Sequence, residues 1–297
     1  VCFLISPDAN TAGLQCRPIV IDRTGPTMPE LPEVETTLRG IEPHMQGHKV
    51  ARVLVRDPRL RWPVGEDVQQ AEGQQIVRLR RRGKYLLIEL EQGGLIIHLG
   101  MSGSIRVLTE PGTPEKHDHF DIEMEHGACV RFNDPRRFGA FLWADGEIDS
   151  HELLSRLGPE PLSDAFTTDH LFRKSRGKRV AVKNFIMNGH IVVGVGNIYA
   201  SEALFMAGIH PQRAAGRISK HRYEGLVSAI RDVLSRAIRQ GGTTLRDFVN
   251  SEGAPGYFAR DLLVYDRAGN DCFQCGARIR QKVIGQRSSY YCPSCQR

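Results

Sequence analysis

Two groups of residues in this chain have types and spacings that could do chemistry. The first is Pro29, which follows Met28 at the head of the run MPELPEVETTLRG, residues 28–40. A Met-Pro start normally loses its methionine, leaving Pro29 with a free secondary amine. Such an amine has a pKa near ~8, so an appreciable fraction is a free nucleophile at neutral pH. As an internal residue the same nitrogen is an amide and attacks nothing. Residues 1–27 therefore bear directly on whether the chain is an enzyme. They do not read as a signal peptide: Val1–Ile5 is short, no basic residue precedes it, and Pro7 and Asp8 interrupt it. A valine first residue is what literal translation of a GTG start would give. The expectation is upstream sequence attached to a protein that begins at Met28; the alternative is an extension that is either cleaved or blocks the amine.

The second group is Cys272-x2-Cys275 and Cys292-x2-Cys295, separated by residues 276–291. Two turns that each offer a pair of thiolates, joined by a hairpin, have the spacing of a four-cysteine zinc ribbon. Two disulfides are the competing reading, and the lack of an export signal favours reduced, metal-bound cysteines. Cys2, Cys16 and Cys129 show no partner spacing.

These residues need elements to position them. The chain of 297 residues has room for two domains and a small third module. Its 40% hydrophobic and 25% charged content is that of an ordinary globular protein. No segment approaches the ~18–20 apolar residues of a membrane span. Net charge is +6, and the cations cluster. Residues 76–84, 173–183 and 272–297 are each rich in Arg and Lys with no acid. Three such stretches favour a nucleic-acid partner over ordinary solvated faces.

Leu31 onward reads as a helix, with Val34, Thr37, Leu38 and Ile41 on one face and Pro32 and Glu33 in its first turn. From about Lys49 to Trp143 the runs KVARVLVR, YLLIEL, GLIIHLG, SIRVL, FDIEM, CVRFN and FGAFLW predict the strands of a β-sandwich or barrel-like domain. Leu157-Gly-Pro-Glu-Pro-Leu162 reads as a linker. Helical patterns follow, clearest from Ser219 to about Arg239, with Ser219 as cap and Gly241-Gly242 as stop. The fold class expected is a multidomain α+β protein. Residues 28–156 form a β-sandwich domain with flanking helices, 157–163 a linker, 164–262 a helical domain, and 263–297 a zinc ribbon held by the four cysteines.

MPELPEVET, GKYLLIEL, HLGMSGS, EKHDH, NDPRRFG, VVGVGNIYASEALF, QGGTTLRDF, PGYF and the four-cysteine ribbon occur together and in order. In this combination the chain from 28 to 297 closely resembles the formamidopyrimidine-DNA glycosylase family, bacterial enzymes that remove oxidised purines. The resemblance implies that Pro29 attacks C1′ of the deoxyribose and displaces the damaged base. Glu30 would protonate the ring oxygen as the sugar opens. Lys84 would serve elimination or contact a phosphate, and Arg287 would contact phosphates flanking the lesion and serve the second elimination. Glu33 could orient the amine, or stand as a helix-N-terminal acid on dipole grounds.

A base inside a duplex must be turned out and its place held. The resemblance assigns that task to Met101, Arg136 and Phe138, with Arg136 on the orphaned cytosine and Phe138 as wedge. It makes His98, His117, Lys178 and Asn197 further DNA contacts. His117 and His119 could share one strand face in a metal site, but no third ligand is evident and the DNA contact is preferred. The glycines of VGVGNIYASE are expected to let a phosphate reach a helix N-terminus in a helix–two-turn–helix element. Cys272, Cys275, Cys292 and Cys295 would hold one structural Zn2+. The partner implied is double-stranded DNA with oxidised purines or abasic sites, met by a bacterial cytoplasmic, nucleoid-associated monomer. The rivals are an endonuclease-eight-like glycosylase for oxidised pyrimidines and a damage-binding protein without catalysis. MPELPE, Met101, Arg136 and Phe138 favour the purine enzyme over the first; retention of residues 1–27 would favour the second.

Overall fold

The computed structural model describes residues 29–110, 112–242 and 261–297. The expectations for residues 1–27, and the motifs TTLRDF and PGYF, lie outside the described residues. The first helix, α1 (Leu31–Met45), opens with a capping box: the Glu30 and Glu33 side chains each serve the other's end of the first turn. Its apolar stripe, Val34, Leu38, Ile41 and Met45, is buried against the sandwich that follows.

Eight strands make that sandwich: β1 (Val50–Val55), β2 (Ile76–Arg82), β3 (Tyr85–Leu90), β4 (Gly94–His98), β5 (Ser104–Leu108), β6 (Asp118–Met124), β7 (Cys129–Asn133) and β8 (Ala140–Ala144). They form two four-stranded sheets in the orders β1-β6-β7-β5 and β2-β3-β4-β8. Within each sheet the neighbours run antiparallel. The core between the sheets centres on Phe120, which stacks on Phe132 and Phe141 at ring separations of 4.9 and 3.9 Å.

Strand β2 holds a correction. Residues 76–84 stand out in the sequence for their charge, yet Ile76 and Leu79 are buried as in any half-buried strand. Three of their arginines are matched internally. Arg80 pairs with Glu89 and Asp149, Arg81 with Glu35 and Glu160, and Arg82 with Glu160. Acids distant in sequence neutralise a stretch that contains none, so this cluster is not a free cationic face.

After a single turn of helix, α2 (Glu152–Ser155), the chain enters the segment read as a linker. It is fastened rather than loose. Glu160 accepts bonds from Arg81, Arg82 and the Gly83 amide, and Arg82 also donates to the Leu157 and Gly158 carbonyls. Four helices follow: α3 (Thr168–Ser175), α4 (Val182–Ile186), α5 (Asn197–Met206) and α6 (Lys220–Arg239). Ser219 caps α6 through the Arg222 amide. Gly241 and Gly242, at φ 74° and 82°, end it with Gly242 N–H returning to the Ala237 carbonyl. The C-terminal hairpin, β9 (Arg280–Ile284) and β10 (Arg287–Tyr291), has no separate core. Cys272, Ile279, Tyr290 and Cys292 bury into the same cluster as α5 and α6. Among the described residues no helix is long and apolar enough to cross a membrane.

Candidate active site

Pro29 and Glu30 lie buried immediately before α1, where the sandwich meets the helical half. Glu30 reaches across that seam. Its carboxylate accepts from Gly196 N at 2.8 Å, Ile198 N at 2.9 Å and Tyr199 N at 3.4 Å, the orphan amides at the start of α5. This corrects the expectation that those amides await a phosphate: the anion at this helix end is Glu30. The glycines permit the approach. A Cβ on Gly196 would stand 2.5 Å from Glu30 Cγ and nearer still to Cδ and Oε1. Gly194, at φ +78°, would meet Leu31 Cβ at 2.7 Å, and the Leu31 amide donates to its carbonyl.

Glu33, also buried, accepts from the Glu30 amide at 2.9 Å and from the Tyr199 hydroxyl at 2.6 Å. Of its two readings, the helix-N-terminal acid is the one this geometry describes. Burial raises the pKa of Glu30, opposed by the charge of Lys84 and by the amide bonds. Burial lowers that of Lys84, opposed by Glu30 and Glu33 and reinforced by Arg287. The charges acting on Lys84 are those of Glu30, Glu33 and Arg287, which gathers these side chains around one locus, next to Pro29 through Glu30. A buried carboxyl and a half-buried ammonium, each pushed toward its neutral form, are equipped to exchange protons.

Lys84 follows the turn Arg82-Gly83, where Gly83 has φ +60° and packs on Val193. Arg287 is exposed and starts β10 after Gly285 and Gln286, at φ 56° and 63°, the geometry of a tight hairpin. That tip seats on α4, since a Cβ on Gly285 would stand 2.7 Å from Asn184 Cγ. Lys183 completes the attachment by donating to Ser289 Oγ at 2.7 Å and the Ser288 carbonyl at 3.0 Å. By sequence it belongs with the cations of residues 173–183, but it is fully buried and desolvation pulls its pKa down to about 7.

A second cluster gathers Met101, His117, Arg136 and Phe138 around Asp134. The buried Asp134 carboxylate accepts from Ser102 Oγ at 2.6 Å, Arg136 N at 3.2 Å and Gly139 N at 2.7 Å, and its amide donates to the His117 carbonyl. Gly100, at φ +69°, lets the two loops touch: a Cβ there would lie 2.5 Å from Gly139 N. Phe138 is 43% exposed, with the Arg136 guanidinium 5.1 Å from its ring centre, and Met101 is half-buried. Neither is a core side chain.

His98 is half-buried, and its Nδ1 accepts from the Gly100 amide at 2.9 Å. Burial, with Lys84 and Arg61 nearby, lowers its pKa to about 3. It is thus a neutral imidazole with Nε2–H outward, a donor rather than a cation. His117 is half-buried in the turn before β6, whose pairing is irregular between Asp118 and Phe120, and neither histidine belongs to a metal-ligand cluster among the described residues. His119 is buried, with its ring nitrogens at the Asp57 and Asp134 carbonyls. Lys178 is exposed before α4, and Asn197 begins α5 with Nδ2 3.4 Å from the Tyr265 hydroxyl.

The four cysteines converge. Cys272 and Cys295 sulfurs are 3.9 Å apart, those of Cys275 and Cys292 3.5 Å, and all four lie within 4.8 Å of one another. Tetrahedral zinc with bonds near 2.3 Å puts its sulfurs about 3.8 Å apart, so this set fits one structural zinc ion and leaves it no open position. Among the described residues it is the one such cluster.

Three family models cover this chain in order: the formamidopyrimidine-DNA glycosylase N-terminal domain at residues 28–141, the H2TH domain of the same proteins at 157–249, and the zinc finger found in FPG and IleRS at 269–297. The formamidopyrimidine-DNA glycosylase of Alcanivorax borkumensis is 60% identical over 270 residues, 91% of this chain and 100% of that protein. The chain belongs to the formamidopyrimidine-DNA glycosylase family. The protein of that name from Thioalkalivibrio sulfidiphilus is 57% identical over 271 residues, again 91% of this chain and 100% of its own. Among solved structures, the family member from Thermus thermophilus superposes with a TM-score of 0.81 at 39% identity, covering 90% of this chain and 98% of that one. A Lactococcus lactis mutant in complex with Fapy-dG-containing DNA gives 0.83 at 31%, covering 91% and 100%.

Against this family background, sequence reasoning missed the residues that hold others in place. Asp134, Tyr199 and Glu160 bear no chemistry of their own in the motifs. Glu202 is buried on α5, and its carboxylate receives the Leu263, Val264 and Tyr265 amides, fixing the start of the ribbon. The signal that could have found Glu202 is its acid type within an otherwise apolar helix.

Proposed function

We propose that the chain is a bifunctional DNA glycosylase and abasic-site lyase of base excision repair, acting as a monomer on oxidised purines such as 8-oxoguanine and formamidopyrimidines. The observation that carries it is the seating of Glu30 on the α5 amides, beside Pro29 and within the field of Lys84 and Arg287. The Lactococcus lactis relatives in complex with DNA containing Fapy-dG and an abasic site support the substrate class. The bacterial relatives support a cytoplasmic setting on chromosomal DNA. The division of labour follows the domains expected from sequence, with residues 28–156 and 164–262 flanking the DNA and 263–297 supplying Arg287.

In the proposed reaction the Pro29 nitrogen, as a free secondary amine, forms a bond to C1′, and the glycosidic bond breaks with its electrons leaving on the base. Glu30 delivers a proton to the ring oxygen as C1′–O4′ opens, giving an iminium. Loss of a C2′ proton then expels the 3′ phosphate, and a second elimination expels the 5′ phosphate. In this reading Arg287 neutralises the phosphates flanking the lesion, and Lys84, whose pKa burial lowers, trades a proton in the elimination. Met101 and Phe138 fill the gap in the stack while Arg136 faces the orphaned cytosine. Zinc held by Cys272, Cys275, Cys292 and Cys295 would keep the hairpin folded.

The test is chemical. Protein purified from its own cells is weighed by mass spectrometry, and a chain beginning at Pro29 is expected. That form is then mixed with 8-oxoguanine:cytosine duplex and borohydride, which should trap a covalent adduct through Pro29. A Pro29-initiated chain that yields no adduct overturns the mechanism. Because one Lactococcus lactis relative is found with an oxidised pyrimidine, the ratio of cleavage rates on 8-oxoguanine:cytosine and oxidised-pyrimidine duplexes separates the purine reading from its rival: faster cutting of the purine duplex supports it, the reverse overturns it.

A further inference from the structure

One buried side chain has no part in the proposed reaction, yet its partners restrict its chemistry. His119, on β6, is 2% exposed, and both its ring nitrogens meet backbone carbonyls. Nδ1 lies 3.0 Å from the Asp57 oxygen and Nε2 3.0 Å from the Asp134 oxygen. A carbonyl oxygen only accepts. A neutral imidazole has one N–H and one lone pair, so it satisfies one of these oxygens and sets a lone pair against the other. The doubly protonated ring donates to both. Other described histidines make no such demand. Nδ1 of His98, His151 and His210 accepts from an amide, and His170 and His190 each bring a single nitrogen to a carbonyl.

A buried cation needs opposite charge nearby as well as hydrogen bonds. Asp57 and Asp134, whose carbonyls it meets, both bring carboxylates, and Asp118 precedes it in the chain. Asp57 is bound by Arg59 and Arg137, Asp118 by Arg106 and Asn133, and Asp134 by Ser102 and two amides. From the end of β1, the Arg56 amide donates to the His119 carbonyl while its guanidinium pairs with Asp121. The ring also ties down a strained loop. Arg137 has φ 59°, and a left-handed arginine persists only where its surroundings over-determine it. Its amide donates to the Asp134 carbonyl at 3.3 Å, and its guanidinium reaches Asp57 at 3.1 Å. A closed circuit therefore runs through His119, Asp134, Arg137 and Asp57. Arg136 and Phe138 stand on either side of the strained residue.

We infer that His119, as a doubly donating imidazolium, is a positioning residue for recognition of the base opposite the lesion. It locks Asp57 to Asp134 and so fixes the kink that presents Arg136 and Phe138. It touches no DNA itself. The inference rests on the reading above in which Arg136 faces the orphaned cytosine, and it names the buried group that holds Arg136 in register.

Two measurements test it. Nitrogen NMR of the full chain, carrying isotope-labelled histidine, reads the charge state at neutral pH without DNA and without any variant. One ring with both nitrogens protonated and slow to exchange is expected, and its signals should vanish in His119→Asn. Absence of such a ring from the unaltered protein overturns the inference. Single-turnover excision of 8-oxoguanine opposite cytosine and opposite adenine then reads the function. His119→Asn keeps one donor and turns an acceptor toward the other carbonyl. It is expected to cut the preference for cytosine by about tenfold, the size of one hydrogen bond from a charged group. Equal slowing on both duplexes, with the preference intact, overturns the positioning role. An unaltered protein that cuts neither duplex strikes the catalytic reading instead; the preference is then read from binding to an abasic analogue opposite each base, and its persistence in His119→Asn overturns the inference.

Discussion

Gly196→Ala separates the two readings of the glycines before α5. At φ −107° and ψ −157° the position is ordinary extended backbone, so alanine brings no torsional strain. Its effect is steric alone. The new Cβ would stand 2.5 Å from Glu30 Cγ, whereas unstrained carbons sit about 3.5 Å apart. Because Cδ and Oε1 lie nearer still, Glu30 must retreat by at least about 1 Å, leaving the amides of Gly196 and Ile198. A shift of that size at a reacting group costs about 100-fold in rate, equivalent to about 2.7 kcal/mol. Crowding the seam should also destabilise the fold by about 1–3 kcal/mol. Single-turnover excision from 8-oxoguanine duplex, at saturating protein and below the variant's melting temperature, reads the first effect. Equilibrium binding to an abasic-analogue duplex is the control. A glycine serving a phosphate would lose binding; a glycine serving Glu30 loses rate at nearly constant binding. Full excision with weakened binding would refute the seat described for Glu30.

Lys183 should shape stability against pH. Its folded pKa of about 7 lies below the usual lysine value of 10.5, so between those values the unfolded chain holds more protons and stability rises with pH. Lys183→Met should flatten that rise in melts taken from pH 7 to 10, and an unchanged profile would contradict the burial. Phe138→Ala, at a 43% exposed position, should leave stability within about 0.5 kcal/mol of wild type while weakening binding to lesion duplex; a large loss of stability would return Phe138 to the core. Chelation should release one zinc per chain by colorimetric titration and disorder the hairpin with Arg287, abolishing strand cleavage. Persistence of cleavage after zinc loss would detach the ribbon from the chemistry.

The layers of the fold were legible because their signals are local. Period-two runs marked the strands, Ser219 and Gly241-Gly242 bounded α6, and the paired Cys-x2-Cys motifs announced the ribbon. What stayed hidden was pairing across distance. Nothing near IVRLRRR tells that Glu35, Glu89, Asp149 and Glu160 will neutralise it. Nothing in VGVGNIY tells that Glu30, remote in sequence, will occupy the helix end. Lys183 looks like its neighbours in sequence and differs only because α4 turns it inward against the hairpin. For the site, residue types were readable from motifs, while Asp134, Glu202 and Glu160 act through backbone amides, which leave no mark in sequence spacing.

The fastening at Glu160 bears on who yields when duplex and protein meet. Held to Arg81, Arg82 and the Gly83 amide, the crossing between the two halves has little freedom to swing. A jaw of set width leaves bending to the double helix, whose stiffness varies from step to step. In the proposed complex the compliance of the DNA would then take part in selection, and weakly stacked damage would meet it at the lowest cost.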